Sequence, residues 1–138
     1  MSHRGPNFSC QQRVYWEDTD AGGVVYYANY LRFMERCRSD WLRAQGVDQR
    51  ALREQQGLQF AVASVSVDFL RPAVLDDEIT VTAELQCLGG ATIEFVQTIW
   101  RADMQLIDAR VRIACLDSDS LKPRAIPKDM FMEWRNGQ

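Results

Sequence analysis

Between Tyr15 and Leu42 the chain reads YWEDTDAGGVVYYANYLRFMERCRSDWL, with three acids, Glu17, Asp18 and Asp20, set beside Gly22 and Gly23. Carboxylates at this spacing suggest three chemistries. A calcium loop would put Asp18 at position 1, Asp20 at position 3 and Gly23 at the glycine of position 6. Position 5 is then Gly22, and Asn29 stands at position 12 where a bidentate Glu is needed, so the pattern fails. A phosphoryl-accepting aspartate after a strand needs a parallel sheet and a downstream lysine, and the only lysines are Lys122 and Lys128, near the end of the chain.

The third chemistry uses the helix pattern that follows. If the acidic bend ends where a helix begins, near Tyr27 to Asn29, the first free N–H groups and the positive end of the helix dipole face whatever lies over the bend. A developing oxyanion would be held there, with Asp20 as nucleophile or as the base that activates water. Gly22 and Gly23 let the backbone approach a substrate that a Cβ would block. The same cluster also reads as a plain turn, capped by Asp18 or Asp20 and shaped by the glycines. The single histidine, His3, lies in the polar N-terminal stretch, which excludes Ser–His and Cys–His pairs and histidine-rich zinc sites, so no metal is expected.

The elements that must position these residues follow from periodicity. Gln11 to Trp16 reads as a first strand, with Val14 and Trp16 alternating with Arg13 and Tyr15. Tyr30, Phe33, Met34, Cys37, Trp41 and Leu42 recur at three- and four-residue steps, opposite Arg32, Arg36, Arg38 and Arg43, and Gly46 is placed to stop the helix. Such a helix of about 17 residues spans roughly 25 Å. A polar, partly helical stretch, VDQRALREQQG, leads to segments of period two. Ala61, Ala63, Val65, Val67 and Phe69 share one face, followed by Ile79, Val81, Ala83 and Leu85, by Ile93, Phe95 and Ile99, and by Ile107, Ala109, Val111, Ile113 and Cys115. Turn signals fall at Leu88–Gly90 and Arg101–Gln105. The expected fold is α+β, a long helix wrapped by a curved antiparallel sheet of about five strands, the first strand returning to pair with the later ones. Residues 1–138 make one domain, with 1–10 and about 120–138 as peripheral tails.

The 138 residues suffice to bury a core without a disulfide or metal staple. A net charge of −3 with interspersed signs gives no field that favours nucleic acid. No segment has the length and apolarity of a membrane span or the pattern of a targeting peptide, so a cytoplasmic location is expected. Cys10, Cys37, Cys87 and Cys115 form no CxxC pair and read as reduced packing residues.

The Tyr15–Leu42 stretch closely resembles the signature of hotdog-fold acyl-CoA thioesterases of the 4-hydroxybenzoyl-CoA thioesterase type, in particular the branch encoded with the Tol-Pal envelope system. VSVDFLRPAVLDDEITV, from Val65, is similar to the same family, and the likeness runs from Arg13 to about Leu116. The resemblance implies a homodimer or a dimer of dimers that pairs sheets edge to edge, with sites at the interface. It implies hydrolysis of an acyl-CoA thioester with no cofactor beyond the CoA of the substrate. It makes Asp20 catalytic, gives the backbone N–H of Tyr27 the oxyanion role and places Asn29 near the pocket. Tyr27 stands where the Tol-Pal branch usually carries His, which leaves the acyl preference open. Arg71, Lys122, Arg124 and Lys128 are candidates for the phosphates of CoA. A hydratase of the same fold would need a histidine near the site. A non-catalytic module that binds acyl-CoA or an acyl carrier protein at the cell envelope is the alternative.

Overall fold

The computed structural model describes residues 8–137; His3 lies outside them. Its elements are β1 (Phe8–Arg13), a single 3-10 turn (Trp16–Asp18), α1 (Tyr27–Ala44), α2 (Gln49–Gln56), β2 (Leu58–Phe69), β3 (Glu78–Leu88), β4 (Thr92–Arg101), β5 (Met104–Asp117) and α3 (Lys128–Gly137). The five strands form one antiparallel sheet in the order β1-β3-β4-β5-β2, so the first strand does return to pair, and β1 and β2 are the edges.

The six apolar helix positions named from periodicity are all buried against the sheet. Facing them are Ile79, Val81, Ala83 and Leu85 of β3, Ile93, Phe95 and Ile99 of β4, and the inward residues of β5. Burying side chains of this size is worth about 1.5–3 kcal/mol each. α1 ends one residue before Gln45, and Gly46 follows with φ +84°, the left-handed geometry of a helix stop. The stretch between α1 and β2 is a true helix: the Asp48 carboxylate accepts the N–H groups of Arg50 and Ala51, and Gly57 closes it with φ 66°.

Three expectations need correction. The first strand is Phe8–Arg13 rather than Gln11–Trp16, and Trp16 is 74% exposed. The chain leaves the sheet after Arg13 because the buried Asp18 carboxylate accepts the Tyr15 N–H at 2.9 Å while the Asp18 N–H donates to the Tyr15 carbonyl. This local bonding replaces the ladder.

Periodicity puts the inward face of β2 one residue out over its first half. The pairing with β5 slips between Val62 and Ser64, so Phe60 lies opposite Cys115 and Val62 opposite Ile113, whereas Val65 lies opposite Val111. The extra residue, Ala63, reverses the alternation, so Phe60 and Val62, not Ala61 and Ala63, share a face with Val65, Val67 and Phe69.

The segment from about residue 120 is not a loose tail. Ile126 is buried, α3 follows, and Trp134 stacks on Trp41 with ring centres 5.3 Å apart. The helix enclosed by a curved sheet is the hotdog architecture.

Candidate active site

The acidic bend is built by the backbone first. The Asp20 N–H donates to the Val24 carbonyl and the Gly23 N–H to the Asp20 carbonyl, closing a tight loop in which Gly23 takes φ +83°. Two bridges, Thr19 with Val25 and Val24 with Val74, tie this loop to itself and to the β2–β3 connection. Asp18 is the joint with the helix. Its carbonyl accepts the Tyr26 N–H at 3.0 Å and the Asn29 side-chain amide at 2.8 Å, so the bend and the first turn of α1 move as one piece.

Asp20 differs from Asp18 in every respect that matters for chemistry. Asp18 is buried and committed to Tyr15. Asp20 is exposed, and only its Oδ1 is engaged, accepting the Gly22 N–H at 2.8 Å. Its Oδ2 has no hydrogen-bond partner among the described residues. The carboxylate therefore has one oxygen that fixes its orientation and one that is free to react.

Asp20 lines an open cleft of about 680 Å³ together with Tyr26, Tyr27, Tyr30, Phe69 and Arg71, within the size range of small-molecule sites. The rings interlock. Tyr27 and Phe69 meet edge to face with centroids 6.3 Å apart, and Tyr30 and Phe69 at 5.7 Å. The Tyr30 hydroxyl accepts the Ala73 N–H at 2.9 Å, and burial pushes its pKa above the ordinary value. The cleft wall is thus aromatic, with a carboxylate on one side and the Arg71 guanidinium, which engages no protein acceptor among the described residues, on another.

Tyr27 is the first residue of α1. The Tyr26 N–H is engaged by Asp18 and the Asn29 N–H by the Tyr26 carbonyl. The N–H groups of Tyr27 and Ala28 have no intrahelical acceptor, and no other acceptor among the described residues takes them. Added to the helix dipole, they make the start of α1 favourable to negative charge, and Tyr27 itself lines the cleft.

Of the residues named from sequence, the structure brings Asp20, Tyr27 and Arg71 to one cleft. Gly22 and Gly23 shape the loop behind Asp20 rather than lining the cleft. Asn29 holds the Asp18 carbonyl. Lys122 lies beyond the end of β5, where Asp117 pairs with Leu58, eleven residues along β2 from Phe69. That separation is roughly 36 Å at 3.3 Å per residue, out of reach within one chain. Arg124 is committed to Asp117 and to the carbonyls of Gln56 and Gly57. Periodicity marks Tyr30 and Phe69 only as core-facing residues. The signal that marks them is an aromatic directly before Leu70–Arg71–Pro72, where the strand runs out and its last side chain overhangs the helix start.

Residues 14–134 match the family described as the thioesterase-like superfamily. An acyl-CoA thioesterase YbgC of Haemophilus influenzae is 46% identical over 123 residues, covering 89% of this chain and 90% of that protein. An acyl-CoA thioester hydrolase YbgC of Escherichia coli is 40% identical, covering 89% and 92%. A crystal structure of a probable thioesterase from Bartonella henselae superposes with a TM-score of 0.82 at 38% identity, covering 86% of this chain and 98% of that one. A family match over nearly the whole folded region, joined to relatives 40–46% identical over 89% of the chain, places this chain in the thioesterase-like superfamily.

Proposed function

We propose that this protein hydrolyses acyl-CoA thioesters to the free carboxylic acid and CoA. The observation that carries the reading is that the half-engaged Asp20 carboxylate and Tyr27, the first residue of a helix whose leading N–H groups are free, line one aromatic cleft. A thioester carbonyl oxygen directed at those N–H groups gains its strongest hydrogen bonds as the carbonyl becomes tetrahedral. One such donor is typically worth about 2.7–4 kcal/mol of barrier.

Asp20 completes the reaction in one of two ways. Its Oδ2 attacks the carbonyl carbon and expels CoA thiolate, leaving an acyl anhydride that water cleaves. Otherwise it takes a proton from a water that attacks directly. Solvent oxygen found in Asp20 after a single turnover in labelled water identifies attack by the carboxylate, because the general-base route leaves none there. The aromatic wall suits the acyl group, and Arg71 supplies a cation at the rim for the phosphates of CoA.

Assembly as a homodimer fits the sheet. β2 is an edge strand of twelve residues with no strand on its outer side among the described residues, and Val62, Val65 and Phe69 are exposed along it. A second copy paired there would remove that edge from solvent. No helix among the described residues is long and apolar enough to cross a membrane. A cytoplasmic location and a tie to the envelope system are part of this proposal, carried by the sequence likeness to the Tol-Pal branch.

The test is the purified protein with a panel of acyl-CoAs, from short aliphatic to aromatic, and a thiol-reactive dye. Release of one thiol per thioester from at least one member is expected. CoA binding without thiol release from any member would replace the hydrolase with an acyl-carrier binding module.

A further inference from the structure

Arg71 lines the cleft from the connection between β2 and β3, and its backbone is held on both sides. Ahead of it, the Leu106 carbonyl accepts the N–H groups of Leu70 at 2.8 Å and of Arg71 at 3.2 Å. Behind it, the peptide unit that joins Pro72 to Ala73 is clamped at both ends. Its N–H donates to the Tyr30 hydroxyl at 2.9 Å, and its carbonyl accepts Nη1 of Arg101 at 3.2 Å. Arg101 is the last residue of β4 and is not among the residues that line the cleft. The same Nη1 donates to Oδ2 of Asp77 at 2.7 Å, and that oxygen also accepts the Val74 N–H at 2.9 Å.

We propose that Arg101 is a positioning residue for the phosphate-bearing end of the substrate: it fixes the direction in which Arg71 presents its guanidinium, without touching substrate itself. The inference rests on the reading of Arg71 as the cation that meets the phosphates of CoA. Pro72 makes the transmission stiff. Its ring fixes its own φ, and it confines the residue before it, Arg71, to extended backbone. The soft torsion left between Arg71 and the clamped peptide is ψ of Pro72, and the bonds from Arg101 and to Tyr30 hold it. Releasing the carbonyl frees that peptide to turn, and Arg71 turns with it.

The reacting end of the cleft is held separately. The Asp20 loop closes on itself, the Asp20 N–H on the Val24 carbonyl and the Gly23 N–H on the Asp20 carbonyl, and the Val25 N–H donates to the carbonyl of Ala73 rather than to that of Pro72. Loss of Arg101 therefore weakens the grip on the phosphates and spares Asp20 and the helix start. Asp77 has the supporting part. Its carboxylate holds the guanidinium in place, the pair being only 15% exposed at Asp77 and 33% at Arg101. Because one nitrogen, Nη1, makes both bonds, an ammonium group with three donors on one nitrogen can stand in for it.

The experiment compares the full chain with its Arg101→Met, Arg101→Lys and Arg71→Ala variants. Calorimetry gives the Kd of CoA and of pantetheine, which lacks the phosphates. Kinetics gives KM and kcat for the acyl-CoA that the parent turns over fastest and for the N-acetylcysteamine thioester of the same acid. Arg101→Met should raise the Kd of CoA and the KM of the acyl-CoA by about threefold to tenfold, with kcat within about twofold and the phosphate-free ligands unaffected. Arg101→Lys should recover most of the loss, and Arg101→Met added to Arg71→Ala should cost nothing further. Should Arg101→Met alone fail to fold, combining it with Asp77→Asn removes the unpaired carboxylate and carries the same expectation. An unchanged Kd for CoA, an equal loss with pantetheine, or a loss that adds in full to that of Arg71→Ala would each overturn the inference. So would a parent that binds CoA no more tightly than pantetheine. The expected contrast in CoA binding, found in a protein that releases no thiol, would overturn hydrolysis and leave the positioning role of Arg101 standing.

Discussion

The Gly22 N–H donates to Oδ1 of Asp20 at 2.8 Å, and a Cβ built on Gly22 would lie 3.3 Å from that same oxygen. The bond that aims the carboxylate and the space that permits it belong to one residue. Gly22→Ala should leave the fold intact, since the methyl meets a side chain rather than backbone. It should turn the carboxylate by a few tenths of an ångström and lower kcat by about tenfold, given that a 1 Å misplacement costs about a hundredfold. Gly23→Ala should behave oppositely. Nothing crowds a Cβ there, but φ is +83°, so stability should fall by about 1–2 kcal/mol. Steady-state kinetics beside denaturant unfolding of both variants checks the contrast.

Asp20→Asn keeps an oxygen able to accept the Gly22 N–H while removing the charge needed to attack carbon or accept a proton. Thioester turnover should drop by about 10²–10⁴-fold, with circular dichroism and size-exclusion elution unchanged. Turnover at the unmodified rate would remove Asp20 from the chemistry.

Asp18 and Asn29 should report on the joint between bend and helix rather than on the reaction. Asn29→Ala deletes the 2.8 Å bond to the Asp18 carbonyl, which retains the Tyr26 N–H. A loss of about 0.5–1.5 kcal/mol is expected. Asp18→Asn weakens a buried acceptor for Tyr15 by a similar amount. Both variants should fall in urea midpoint and retain a far larger share of kcat than Asp20→Asn. A kcat loss equal to that of Asp20→Asn would give Asp18 a chemical role.

How much of this was legible in sequence depended on whether the pattern was local. α1, β3 and β5 were read correctly because each carries an unbroken period. The cleft pair Asp20 and Tyr27 was legible because the carboxylate, the glycines and the helix start are contiguous. β2 failed over its first half because a bulge has no periodic signature, and Ala61 and Ala63 are small enough to suit either face. α3 is not legible because its burial depends on partners distant in sequence, Trp41 and Phe60, which meet Trp134. The first strand ended early because a side chain, Asp18, satisfied the backbone that would otherwise have extended it.

Gln97 illustrates a polar residue hidden in an apolar row. It follows Ile93 and Phe95 on the inward face of β4 and is 0% exposed. Its Nε2 donates to the carbonyls of Met34 and Thr82, both at 3.1 Å, and its Oε1 accepts from Arg38 at 2.8 Å. Burial lowers the Arg38 pKa, so that guanidinium depends on the amide. Gln97→Leu conserves volume but removes two bonds to buried carbonyls and strands a cation, and should cost about 2–3 kcal/mol. Adding Arg38→Met should restore part of the loss. A double variant as unstable as the sum of the two singles would show that Arg38 does not depend on Gln97.

Asp117 should give the acid limb of stability a distinct shape. Its Oδ2 accepts the Ser120 N–H at 2.8 Å and the Asp119 N–H at 3.1 Å, and its Oδ1 accepts from Arg124 at 3.2 Å. Arg124 in turn reaches the carbonyls of Gln56 and Gly57, so the carboxylate anchors the end of β5 to the turn that opens β2. The Ser120 N–H above all, with Asp119 and Arg124, holds the Asp117 pKa below its ordinary value of 3.8. A depressed folded pKa adds stability that is fully present above the unfolded value and is lost as pH falls through the lower folded one. The stability difference between the parent and Asp117→Asn should therefore stay level from about pH 7 to about pH 5 and shrink only on the acid side of about pH 4. Urea unfolding of both proteins across that range measures it. A difference that already declines between neutrality and about pH 5 would mean that a group other than Asp117 controls the acid limb.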